Sequence, residues 1–211
     1  MKEDLRMRTS FFCTLVLSAA GLVSTVEAAD FSDPTWPCVQ RKVETLSLGL
    51  MWPLEIDPEH LAGKDELRTD AMRLADRLSL RRIDVEDLRE PVEQFTATHG
   101  GDPLLLGAVF QQVFDTLSKR RTRIIGGIGD FSLSQIGLAE KIDGARLEMD
   151  TLLAAEDPDY DRIDALEEQI DWDQVIHSDR QKSIQYLCET PQLIEKRLFA
   201  IAQLLQFATD S

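Results

Sequence analysis

Residues 138–170 read LAEKIDGARLEMDTLLAAEDPDYDRIDALEEQI. Two apolar rhythms meet there across a short acidic break. Before Glu156-Asp157-Pro158-Asp159, apolar residues fall at alternating strides of three and four. After it the same strides resume, with acids in the first turn, the usual sign of a helix start. A 3.5-residue repeat on both sides of a turn specifies two helices lying antiparallel with supercoiled seams facing.

Extending the first rhythm toward the N-terminus gives Leu152, Met149, Ala145, Ile142, Leu138, Gln135, Phe131, Ile128, Ile124, Arg121, Leu117, Phe114, Phe110 and Gly107. Only Gln135 and Arg121 are polar. The phase passes Gly126, Gly127 and Gly129 without slipping, although glycine costs a helix interior about 1 kcal/mol relative to alanine. A continuous helix, or two collinear ones, is expected over 102–154. Asp102-Pro103 supplies an N-cap and a proline at the first helical position. The second rhythm runs Ile163, Leu166, Ile170, Asp173, His177, Arg180, Ile184, Leu187, Pro191, Ile194, Leu198, Ile201, Leu205 and Ala208, predicting a helix over 159–208. Pro191 should kink it rather than end it.

Folding at 157–158 pairs positions whose numbers add to about 315. That register places Arg120 beside Glu195 and Cys188 opposite Gly127, so the glycines would make room for an incoming strap. Near the termini the stripe is broad, with Leu104, Leu105, Val109 and Val113 on one helix and Leu193, Phe199, Leu204 and Phe207 on the other. Such a stripe wants covering helices. Residues 57–98 can supply them: Leu67, Ala71, Leu74, Ala75 and Leu78 share one face, while Val85, Leu88, Val92 and Phe95 share another after an Asp84 cap. Near the turn the seam narrows between charges, as suits a solvated two-helix arm. No segment has strand character. The expected fold is all-α: a helical body with a long antiparallel coiled-coil hairpin, and an extended strap over 29–56 before it, where Trp36-Pro37 and Trp52-Pro53 disfavour helix.

Further upstream, Lys2, Arg6 and Arg8 precede an apolar run, and Val26-Glu27-Ala28 has the small-residue spacing of a signal-peptide cleavage site. Residues 1–28 read as a cleaved signal peptide that takes Cys13 with it, leaving 29–211 as one helical domain. The run is short for a membrane span, which needs ~20 apolar residues, so no span is expected in the mature form. The peptide carries three acids and three bases, so the net charge of −15 is unchanged by its removal. Acidity of that size argues against nucleic acid and against anionic lipid as partners. Composition and leader together place the chain in a bacterial periplasm.

In that compartment Cys38 and Cys188, an even pair, are expected to form a disulfide. Neither has a neighbouring histidine or Cys-x-x-Cys spacing to suggest redox chemistry.

Catalytic signals are few. His60, His99 and His177 fall in no metal-binding signature. Asp173, His177 and Arg180 interrupt the second seam, either as a polar layer that sets register or as a notch in which Asp173 and His177, four apart on one face, could hold a metal or small ligand. Lys119, Arg120, Arg121 and Arg123 are the one basic cluster, either a docking patch for an acidic partner or a face paired with Glu189 and Glu195. Ile124–Gly129 lacks the Gly-Lys-Ser/Thr ending of a phosphate loop. Ser132 and Ser134 lack a nucleophile elbow. Trp52, Trp172 and Tyr186 read as packing residues. No cofactor is implied. The expectation is a non-enzymatic protein acting through protein contacts, an adaptor, assembly or chaperone-like factor whose partner is another exported or envelope protein. A helical-bundle binder of a metal or small ligand is the second reading, and an enzyme without a recognisable motif the third.

Overall fold

The computed structural model describes residues 33–209, all of whose regular structure is helical. The expected signal peptide lies outside that range. A four-residue helix α1 (Leu48–Met51) interrupts the strap, which is therefore not extended throughout. Next come α2 (Asp65–Leu78), a 3₁₀ turn (Glu86–Leu88) and α3 (Arg89–His99). The long pair α4 (Pro103–Leu153) and α5 (Tyr160–Thr209) completes the chain.

Asp102 caps α4 as its sequence implies: its carboxylate accepts from the Leu104 amide at 3.0 Å, with Pro103 next in line. Asp84 does not play that role for α3. The chain first makes the 3₁₀ turn, and the α-helix begins at Arg89, with Pro91 in its first turn, where a missing N–H is tolerated.

Helix α4 spans 51 residues, about 76 Å at 1.5 Å per residue. None of its fourteen seam positions is exposed. Burial on that scale explains why the glycines do not break it. The helix is pinned on both sides of Gly126 and Gly127 by Ile125 and Ile128, which are 7% and 0% exposed. Helix α5 likewise runs through Pro191, whose ring is buried and removes the donor that would normally serve the Leu187 carbonyl.

Cross-helix pairs confirm the antiparallel register. Lys141 meets Asp173 and Ser134 meets Arg180, both pairs adding to 314, and Arg121 meets Glu195, adding to 316. The partner of Glu195 is thus Arg121, not its neighbour Arg120. At the tip Arg162 Nη2 lies 2.6 Å from Glu148, across the loop 154–159.

Three apolar clusters follow one another along the hairpin. The largest forms the body, where α2, the 3₁₀ turn and α3 cover α4 and α5 around Leu78, Leu88, Phe110, Leu117, Ile194 and Leu198. Trp52 is 1% exposed there, with its ring stacked on Phe110 at 5.3 Å between centroids. Arg197 on α5 ties α2 down. Its Nε and Nη2 donate to the Leu78 carbonyl (3.1 and 2.8 Å) and its Nη1 to that of Ile83 (2.8 Å). Burial draws its pKa below the usual value, against the attraction of Asp84.

The covering layer is narrower than the apolar stripe suggested. Leu105, Val109 and Val113 are buried, but Leu193, Phe199 and Phe207 are 50%, 51% and 73% exposed. Phe207 stands at the edge of the groove between α3 and α5.

Candidate functional site

The waist of the hairpin carries the strap. Cys38 and Cys188 are joined, their Cα atoms 5.5 Å apart and 150 positions apart in sequence. Around them Trp36, Ile125 and Ile128 form the second apolar cluster. Polar contacts fix the strap further. Ser132 Oγ donates to the Pro34 carbonyl at 2.7 Å, and the Gln40 amide donates to the Cys188 carbonyl. Trp36 Nε1 closes the loop on itself by donating to the Gln40 carbonyl at 2.6 Å.

The glycines serve this docking differently from the expectation. A Cβ at Gly126 or Gly127 would meet nothing within 4 Å, so neither makes room for the strap. Gly129 is the one that faces the strap, with Thr35 Cβ and the Thr35 carbonyl 3.4 and 3.5 Å from where its Cβ would stand, an ordinary van der Waals contact. The closer approach is at Gly107 in the body, where a Cβ would stand 3.2 Å from Trp52 Nε1 and 3.3 Å from the Glu55 carbonyl oxygen.

The Thr35 corner is organised by Asp33. Its carboxylate accepts from the Thr35 hydroxyl (2.6 Å), the Thr35 amide (2.8 Å) and Lys42 Nζ (3.1 Å). The Thr35 hydroxyl, then its amide, then Lys42 hold the Asp33 pKa down at about 2.

The basic cluster does not form one surface. Arg121 is 3% exposed and belongs to the seam. Its Nε and Nη2 lie 2.8 and 2.5 Å from Glu195 Oε1, and its Nη1 donates to the Glu44 carbonyl at 3.3 Å. Lys119 and Arg123 stand exposed and Arg120 half-buried, and none of the three forms an ion pair with a described residue. Glu189 accepts from Gln185 on its own helix rather than from the cluster.

The interrupted seam resolves into separate contacts. Asp173 is 8% exposed, with its Oδ2 2.8 Å from Lys141 Nζ. The His177 carbonyl accepts from Gln135 Nε2 at 3.1 Å. Arg180 lies outside the seam, exposed, with Nη1 3.3 Å from Ser134 Oγ. The three residues therefore do not form one buried layer. Asp173 and Gln135 are the buried polar side chains of this stretch. No group of three His, Cys, Asp or Glu among the described residues is placed to hold a metal ion. His60 and His99 instead face single carboxylates in the body, Asp102 at 3.5 Å and Asp70 at 3.1 Å.

Beyond the waist, the third apolar cluster is built by α4 and α5 alone, from Leu138, Ile142, Ala145, Met149, Leu152, Leu166 and Ile170. On the outer face of this arm Trp172, expected to pack, is exposed instead. Trp172 is 64% exposed, Val175 55% and Ile176 40%, one contiguous turn at spacings of three and four. Tyr186, further along α5, is 76% exposed. The seam phase held the signal: Ile170, Asp173 and His177 point inward, so positions 172, 175 and 176 fall outside it.

No helix of the described residues is long and apolar enough to cross a membrane. No protein-family model matches the chain, and no match is found among curated proteins or solved structures.

Proposed function

We propose that this chain is an exported, non-enzymatic helical protein that acts through protein–protein contacts, an adaptor, assembly or chaperone-like factor of a bacterial periplasm. Its partner is another exported or envelope protein. One observation carries the reading: a two-helix arm, braced at its base by a covalently tethered strap, holds large apolar side chains out to solvent on its outer face. Contiguous exposed apolar surface on an otherwise polar helix is a common mark of a protein interaction site. Grooves and faces of this size are read by helices or extended segments of a partner. The leader-like residues 1–28 and the single disulfide support the compartment.

The test is site-specific photo-crosslinking in the native host. A benzophenone side chain placed at Val175 or Ile136 on the arm should give adducts that one at Met72 on the body does not. Adducts from Met72 alone, or none from either arm position, would refute an arm-borne contact.

A further inference from the structure

The charge around the exposed turn of α5 narrows what can cover it. Between Glu140 and Arg180 there are fourteen carboxylates against four bases, so this stretch holds −10 of the chain's −15. Asp164, Glu167, Glu168 and Asp171 line, with Trp172 and Val175, a shallow concavity of about 470 Å³ on the outer face of α5. Apolar centre and anionic rim thus occupy one helix face over three turns.

We infer that the arm's outer face, centred on Trp172, Val175 and Ile176, is a docking site for a cationic amphipathic helix of a partner protein. The inference rests on the protein-contact reading above and specifies the partner's chemistry. Apolar residues of such a helix, repeating at three and four, would lie on Val175 and Ile176. Its arginines and lysines would flank them, meeting Glu167, Glu168 and Asp171 at the rim and the Trp172 ring face, which attracts cations. Rim carboxylates of this kind steer encounter and select partners more than they add affinity. A second copy of this chain is the wrong occupant, because it would bring another −10 against the first. Anionic lipid fails for the same reason.

The exposed apolar residues of the body make a weaker case. The groove between α3 and α5 beside Phe207, about 300 Å³, is lined by Glu86, Arg89 and Glu93, which set no charge preference.

The experiment uses the full disulfide-bonded mature protein and a fluorescent peptide of about 18 residues, five helical turns, with one leucine stripe and arginines elsewhere. Two control peptides have the same arginine composition in scrambled order, or glutamate in place of arginine. Fluorescence anisotropy should show the striped cationic peptide binding, with affinity falling steeply as salt rises. Trp172→Ala should weaken it about thirtyfold, as for a central aromatic anchor. Glu167→Gln with Glu168→Gln should weaken it and flatten the salt dependence. Equal binding of the scrambled peptide would reduce the face to a nonspecific polyelectrolyte and overturn the inference. Binding of the glutamate peptide, indifference to Trp172→Ala, or a self-association abolished by Trp172→Glu would overturn it as well. Arm crosslinks in the host without peptide binding would sink this inference alone, leaving the protein-contact reading standing.

Discussion

Arg121 and Glu195 offer the sharpest test of how the hairpin is held. The pair is unequally buried: the side chain of Arg121 is 4% exposed and that of Glu195 34%. Glu195→Ala strands a guanidinium that cannot give up its proton. Only the Glu44 carbonyl then remains for it. Removing one partner of a buried pair costs about 3–5 kcal/mol, and the partial exposure of Glu195 puts this case at about 3. Arg121→Met leaves a comparable volume of apolar side chain in the seam and lets Glu195 turn toward water. The Glu44 carbonyl belongs to an exposed residue and rehydrates. This substitution should cost about 1 kcal/mol or less. Adding Glu195→Ala to Arg121→Met should then change stability by under ~0.5 kcal/mol, a coupling of about 2 kcal/mol or more. Urea unfolding of the oxidised protein at pH 7 measures all four corners of the cycle. If Arg121→Met proves the more damaging change, or the two effects add, Arg121 is not the buried member and the seam register is wrong.

Further outcomes follow from the strap and the glycines. Reducing the disulfide, or replacing both cysteines by serine, opens a closure of 150 residues. The loss should approach, without exceeding, about 5 kcal/mol in a urea titration, and an unchanged midpoint would contradict a structural clamp. Asp33 has a folded pKa of about 2 against an ordinary 3.8. Its lowered pKa adds stability above the unfolded value, which is lost as pH falls from about 4 toward 2. The gap in melting temperature between wild type and Asp33→Asn should therefore be present at pH 6 and shrink to a small remainder at pH 2; a gap constant across that range counts against the Thr35 corner. Gly127→Ala, where a Cβ meets nothing within 4 Å, should stabilise the protein by about 0.4–1 kcal/mol. Gly101→Ala should destabilise it, since its Cβ would stand 2.6 Å from the Ala208 carbonyl oxygen; the reverse order of urea midpoints would mean α4 and the end of α5 are packed otherwise.

Much of the fold was readable from order alone, because helical periodicity is local. Strides of three and four marked the inward face of α4 from Gly107 to Leu152, and every one of those positions is at least half-buried. Asp102-Pro103 and the acidic turn fixed the ends. The disulfide needed only an even count and an oxidising setting. A register of about 315 came within one or two residues of the ion pairs that form.

That small error is what decided the rest. Each residue turns a helix by about 100°, so one position separates a buried side chain from a solvated one. Arg121 belonged to the seam by its phase, yet as part of a basic run it read as surface. Arg180 lay in phase and still swung outward, because a long charged side chain can leave a seam for water while Asp173 cannot leave Lys141 as easily. Which glycine receives Thr35, where α3 begins after its 3₁₀ turn, and how much of α5 stays uncovered depend on where the strap and the short helices come to rest. Those are contacts between segments far apart in sequence, and no local pattern encodes their azimuth. Trp172 faces outward for the same reason: its neighbours in sequence fill the seam, and no other described segment covers its side of the arm.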